Sequence, residues 1–136
     1  MFIIRLIVFL VINTILFSNS IEYNLTIDKT DIIGNHFLSD NSNAVIVKDD
    51  LIFDIYRLEF FANNKNDIKF EINRIEWETF NCKVENTKFD NLVNISDSFF
   101  YKSCPIQYVD IIPYKIDDNN NLFYIKSINI TFYIDD

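Results

Sequence analysis

The chain has 136 residues, with 20 acidic and 12 basic side chains, a formal net charge of −8, one glycine and two prolines. That length is enough for one domain with a real core but not for two. A surface this acidic repels nucleic acid and anionic lipid, so both are excluded as expected partners.

The first 20 residues have the composition of a secretory signal peptide. Arg5 supplies one positive charge, residues 6–17 are mostly apolar, and small residues end the segment at Ser20. We therefore expect export and cleavage before Ile21. The apolar run is shorter than the ~20 residues that span a membrane comfortably, and an uncleaved N-terminal anchor is the alternative.

Residues 21–136 are expected to form a single domain that is secreted or held in the cell envelope. Arg5 is the only charged residue of the leader, so cleavage would change the net charge from −8 to −9. No second apolar segment of comparable length follows, and we expect no stable membrane span after cleavage.

Short alternating stretches predict β-strands in the first half of this domain. They are residues 21–27, 44–48, 51–62 and 68–80. The polar pair Asp49-Asp50 and residues 63–67 are predicted turns, because Asn and Asp tolerate the left-handed conformation that a reversal requires. Residues 28–43 are polar and interrupted, with Gly34 as the only glycine, and residues 40–43 within them are a predicted loop.

Two segments of this domain depart from simple strand alternation. Ile72 and Ile75 lie in opposite phases of the alternation, which predicts a β-bulge between them. In residues 87–100, apolar side chains recur every three to four positions, so this segment can hold the one short helix of the fold.

The end of the chain, residues 109–134, is predicted to be a β-hairpin with a polar tip at residues 117–121. Its last strand alternates, with Phe132 on an apolar side and Tyr133 on a polar side. Pro113 cannot donate to a ladder and is expected at an edge or a bulge. With most of the chain in short strands, we expect an all-β, antiparallel, jelly-roll-like β-sandwich, with a barrel as the alternative.

This C-terminal segment resembles the end of the propeptide domain of gingipain-type cysteine peptidases. The matching residues are Ile111, Ile112, Pro113, Tyr114, Asn121, Leu122, Tyr124, Ile128, Ile130 and Phe132. Residues 68–80 are similar to that domain's middle strands. The resemblance implies a β-sandwich that binds a cysteine peptidase catalytic domain, in cis or in trans, and covers its active site. In this family the catalytic His and Cys belong to a separate domain.

The residues of this chain provide no catalytic, cofactor or metal site. Cys82 and Cys104 are an even pair in an exported chain, which favours a disulfide, with two unpaired thiols as the alternative. His36 with either cysteine would be a nominal nucleophile–base pair, but a lone histidine in a polar loop is more typical of a solvated residue. The acidic turns match no calcium loop.

We therefore expect a non-catalytic, propeptide-like domain that acts as a latency and folding partner of a gingipain-type peptidase. Inhibition would come from a loop that places a basic side chain in the peptidase cleft. Lys65 and Lys102 are the candidates for this contact. The alternative function is a secreted or surface-attached adhesion or binding module without a peptidase partner.

Overall fold

The computed structural model describes residues 20–61 and 68–134, and these residues form eleven β-strands and no helix. The strands are β1 (Ser20–Thr26), β2 (Thr30–Ile33), β3 (His36–Ser39), β4 (Ala44–Lys48), β5 (Leu51–Phe61), β6 (Ile68–Lys83), β7 (Val93–Ile95), β8 (Phe99–Tyr101), β9 (Cys104–Ile111), β10 (Tyr114–Ile116) and β11 (Asn121–Ile134). The predicted all-β class is confirmed. The predicted leader lies outside the described residues, except for Ser20.

The last strand, β11, is the centre of a four-stranded antiparallel sheet. It pairs with β6 along its whole length, and also with β1 and with β10. The side chains of β11 alternate between the core and the surface as predicted: Phe132 is fully buried and Tyr133 is exposed.

The predicted bulge in β6 is confirmed. Ile72 and Arg74 pair with consecutive residues of β11, Ile130 and Asn129, so Asn73 is the extra residue. Its amide group donates to the side chain of Asn129. The bulge explains why the apolar phase of the sequence changes at this point.

The second sheet has seven strands built around β5 and β9. β5 pairs with β4, β3 and β9, and β9 also pairs with β7 and β8. Every pairing is antiparallel except the short parallel contact between β3 and β5. β2 completes this sheet by pairing with β3.

The apolar faces of the two sheets enclose one core rich in aromatic rings, which confirms the predicted sandwich. Phe80 of the four-stranded sheet meets Phe37 of the other sheet edge to face, with ring centroids 5.7 Å apart. Phe53 stacks on Phe37 at 4.7 Å and lies 5.2 Å from Tyr114. Such ring pairs contribute about 0.5–1.5 kcal/mol each beyond the area that they bury.

The expected short helix in residues 87–100 is wrong. This segment contains β7 and β8, preceded by an irregular stretch. Its apolar spacing has another cause: the Phe89 ring packs on Phe53 and Tyr114, and Val93 pairs with Ile111 of β9. Phe89 and Val93 thus reach the core from separate parts of an irregular segment, and their spacing in the sequence happens to match that of a helix.

The predicted hairpin is only partly right, because its first arm is divided between the sheets. β9 belongs to the seven-stranded sheet, and only the three residues of β10 pair with β11 in the other sheet. Pro113 lies between β9 and β10, where no ladder bond is required of it, and its carbonyl accepts the N–H of Ile125 at 2.9 Å. The proline therefore marks the crossing from one sheet to the other.

The polar stretch of residues 28–43, in which the sequence predicts a loop only at residues 40–43, contains two strands, β2 and β3. They form a hairpin whose turn includes Gly34 at φ +61°, a conformation in which glycine is favoured. β3 is four residues long, and its polar residues His36 and Ser39 obscure its pattern in the sequence.

Candidate functional site

The two cysteines are free thiols in the structure, so the expected disulfide is not formed. Cys82 lies on β6 and packs against the core, where burial raises the pKa of its thiol. Cys104 lies on β9, in the other sheet, and is exposed. A thiol that packs inward on one sheet and a thiol that faces solvent on the other are not placed to bond.

Of the two basic candidates, Lys65 lies outside the described residues and Lys102 lies at a tight turn between β8 and β9. Lys102 and Ser103 have φ values of +49° and +67°. Two successive left-handed residues make the reversal of a two-residue hairpin, a place usually taken by Asn-Gly. Each non-glycine residue held there costs about 1–2 kcal/mol, so this turn is strained.

Exposed aromatic side chains surround this turn. Phe61, Phe100 and Tyr101 are 77%, 77% and 59% exposed. The ammonium group of Lys102 lies 5.5 Å from the centre of the Tyr101 ring. We call Phe61, Phe99, Phe100, Tyr101 and Lys102 the aromatic tip.

The aromatic tip is assembled from three neighbouring strands. Phe61 of β5 and Phe99 of β8 both pair with Ile106 of β9, from its two sides. The turn between β8 and β9 then carries Lys102 beyond the end of this row. Phe61, Phe99 and Tyr101 therefore lie on one face of the sheet, and Phe100 lies on the other face, because successive side chains of a strand alternate.

A rigid polar base supports the aromatic tip. The Phe99 ring packs on Tyr108 at 5.0 Å, and the guanidinium group of Arg57 lies 4.4 Å from the centre of the Tyr108 ring. Arg57 also donates two hydrogen bonds to Asp110, at 2.7 and 2.9 Å. The bond to Asp110 raises the pKa of Arg57, which keeps the guanidinium charged.

His36 is part of β3 and is not the solvated loop residue that the sequence suggested. Its Nε2 lies 2.6 Å from Oδ1 of buried Asp54, whose Oδ2 accepts the N–H of Ser39. The hydroxyl of Ser39 is itself buried, so no substrate can reach it. Neither cysteine is among the hydrogen-bond partners of His36 in the described residues. The arrangement holds β3 against β5 and presents no nucleophile.

The described parts of the chain contain no group of three or more His, Cys, Asp or Glu side chains placed to hold a metal ion. No helix in residues 20–61 and 68–134 has the length and apolar character needed to cross a membrane.

Sequence reasoning identified Lys102 but not the aromatic residues beside it. Phe100 and Phe61 belong to apolar runs, Phe99-Phe100-Tyr101 and Phe60-Phe61, in which at least one neighbour must face outward in a strand. That alternation is the signal that could have indicated exposure. It does not show that the two strand ends are adjacent.

No family model matches the chain, and no curated protein sequence matches it. Among solved structures, the fold is similar to a chain in the complex of the Porphyromonas gingivalis RgpB pro- and mature domains. The TM-score is 0.62 at 10% sequence identity, and the match covers 86% of this chain and 80% of the other. At this identity the similarity shows a common fold.

Proposed function

We propose that this chain is an exported, non-catalytic domain that binds a gingipain-type cysteine peptidase and keeps it latent or helps it fold. The observation that carries the proposal is the fold similarity to a chain of a complex between pro- and mature domains, over 86% of the sequence. The C-terminal resemblance to gingipain propeptides supports it independently, because it rests on the amino-acid sequence of residues 111–132 and not on the fold.

The aromatic tip supplies the contact surface in this proposal. Monomeric proteins rarely leave several large aromatic side chains exposed together, and interface cores are enriched in Phe and Tyr. The exposed residues Phe100 and Tyr101 directly precede one basic residue, Lys102, at the turn between β8 and β9. This geometry suits a cleft whose specificity pocket accepts Lys or Arg.

The strain in the turn favours this role. Lys102 and Ser103 are already in the left-handed conformation, and the Arg57–Asp110 pair and the Tyr108 ring hold the base below them. A loop fixed in its bound conformation loses little entropy on association. The net charge of −9 that follows from −8 by loss of Arg5 with the leader would add attraction towards a basic rim around the cleft, and this attraction should weaken as salt rises.

The test is titration of the purified domain into a Lys/Arg-specific gingipain-type peptidase, with residual activity and complex formation measured separately. We expect Lys102→Ala to weaken inhibition by at least about tenfold, since a charge-assisted contact in a buried pocket contributes about 1.5–3 kcal/mol. Lys83→Ala is the matched control, because it removes the same charge from an exposed position on β6. Phe100→Ala should weaken the complex without changing the pocket contact.

Two results would count against the proposal. No complex at micromolar concentration with a folded domain would favour the adhesion-type alternative. A full effect from Lys65→Ala with none from Lys102→Ala would assign the cleft contact to the other candidate and remove the aromatic tip from the interface.

A further inference from the structure

The strand β4 forms an open edge of the seven-stranded sheet. Among the described strands it pairs with β5 alone, and no backbone hydrogen bond from another described segment reaches residues 45–47. Its sequence is Ala-Val-Ile-Val-Lys, which contains no proline. An apolar edge of this kind is a template for pairing with another chain.

The hydrogen-bond pattern shows which peptide groups face this edge. Asp49 and Asp50 both have positive φ, so they form the two-residue turn of a hairpin that Lys48 and Leu51 close as a hydrogen-bonded pair. Hydrogen-bonded and non-hydrogen-bonded pairs then alternate. Val45 and Val47 are therefore non-hydrogen-bonded to β5, and their N–H and C=O groups point outward.

A bond on the other side of β5 confirms this direction. Ile52, the partner of Val47, donates its N–H to the carbonyl of Asn35 at 2.9 Å. Its peptide group thus points away from β4. Val45 and Val47 together offer an incoming strand two donors and two acceptors in ladder register.

The side chains at this edge do nothing to block it. Val45 and Val47 are 51% and 66% exposed. Lys48, the one charged residue of β4, is turned aside: its ammonium donates to the carbonyl of Lys88 at 2.6 Å and lies 5.2 Å from the Phe89 ring centre. Charged side chains commonly protect sheet edges from pairing, but the Lys48 ammonium lies away from the open edge and does not protect it.

The charges around β4 indicate the kind of strand that fits. Asp49 and Asp50 are exposed directly after it, Asp40 lies in the loop before it, and the whole chain has a net charge of −8. A second copy would bring two acidic edges together. A segment with Lys or Arg at its ends would place opposite charges beside these carboxylates, because the ends of an added strand lie beyond the paired residues.

We propose that the β4 edge is a binding site for an extended peptide segment with alternating apolar residues and flanking Lys or Arg, which adds as a further strand to the sheet. The affinity would come from the peptide groups of Val45 and Val47 and from their side chains, and the selectivity from Asp49 and Asp50. The site is separate from the aromatic tip and does not depend on a peptidase partner.

A synthetic probe tests the proposal directly. The peptide acetyl-KKVTVTVKK-amide, with a fluorescent label, is titrated against the full exported chain at low salt and at about 0.15 M salt. We expect saturable binding that weakens as salt rises, and at least about tenfold weaker binding when the flanking lysines are replaced by glutamates.

The variant V45K/V47K should weaken binding of the peptide at least about tenfold, because it puts two cations on the edge that receives a basic strand. Its matched control is E22K on the exposed edge strand β1, since both variants raise the net charge by the same two units. Val47→Pro removes an outward N–H without touching the bonds to β5, and it should weaken binding while circular dichroism remains unchanged.

Three results would overturn the inference. One is the absence of saturable binding up to about 1 mM peptide, and another is an equal loss with V45K/V47K and E22K. The third is a dimer in sedimentation velocity that V45K/V47K dissociates while the peptide does not bind, which would assign this edge to a second copy of the chain.

Discussion

Phe132→Asp should unfold the domain, whereas Tyr133→Asp should not. Phe132 lies in the middle of the four-stranded sheet, between Ile21 of β1 and Phe70 of β6, and is 0% exposed. Its ring centroid is 5.4 Å from that of Phe60 in the opposite sheet. The side chain therefore joins the two layers of the sandwich.

The two substitutions differ in the free energy of unfolding that each is expected to remove. Truncation of a buried phenylalanine to alanine costs about 3–5 kcal/mol, and an unpaired buried carboxylate adds several more. A domain of this size has a total stability of roughly 5–15 kcal/mol. Tyr133 is 41% exposed, and its hydroxyl makes one long hydrogen bond of 3.4 Å to Glu71. Its replacement should cost about 1 kcal/mol or less.

Urea denaturation followed by Trp77 fluorescence and far-ultraviolet circular dichroism gives the free energy of unfolding for each variant. Phe132→Leu is the control that removes the ring without adding a charge, and it should cost about 1.5 kcal/mol. Similar losses for Phe132→Asp and Tyr133→Asp would refute the register of β11. A folded Phe132→Asp variant would refute the packing of the two sheets against each other.

Two further predictions concern single groups. Asp117 accepts hydrogen bonds from the backbone N–H groups of Asn121 and Asn119, and these bonds lower the pKa of its carboxyl below the unfolded value. The stabilising contribution of Asp117 should therefore be present above the unfolded pKa and lost as pH falls through the folded pKa. Unfolding curves collected at stepwise lower pH should show a smaller acid-side loss for Asp117→Asn, and an unchanged profile would contradict the assignment. Iodoacetamide without reductant should label exposed Cys104 quickly and Cys82 slowly, because burial raises the pKa of the Cys82 thiol and lowers its thiolate fraction. Protection of both thiols from iodoacetamide would mean that they are bridged.

The parts of the fold that the sequence predicts are those in which local pattern and burial agree. β4, β5, β6 and β11 each have alternation with β-branched or aromatic residues, and the phase change between Ile72 and Ile75 even locates the bulge at Asn73. In β11 one face of the strand is buried and the other is more exposed, so the period-2 signal survives. In β5 residues 53–56 are buried on both faces, and the β-branched and aromatic composition indicates the strand instead.

The parts that could not be predicted depend on contacts between distant residues. β3 is hidden because His36 is held by Asp54 at 2.6 Å, a partner 18 positions away that no local pattern indicates. The segment 87–100 imitates a helix because its apolar side chains enter the core of a sheet that other strands provide. Lys102 was identifiable as a basic residue before the last strands, but the aromatic tip required the pairing of β5, β9 and β8.

The central position of β11 also determines when the domain can fold. β1 has its ladder partner in β11, and the hydrogen-bonded side chains of Glu22 and Asn129 are 107 residues apart. Synthesis therefore completes β1 and β6 long before the strand that lies between them exists. Until then their apolar faces and both of their backbone edges are open, and loop closure over such distances makes folding slow, in the range of milliseconds to seconds for β-rich domains. In this interval the chain is most exposed to proteolysis and aggregation.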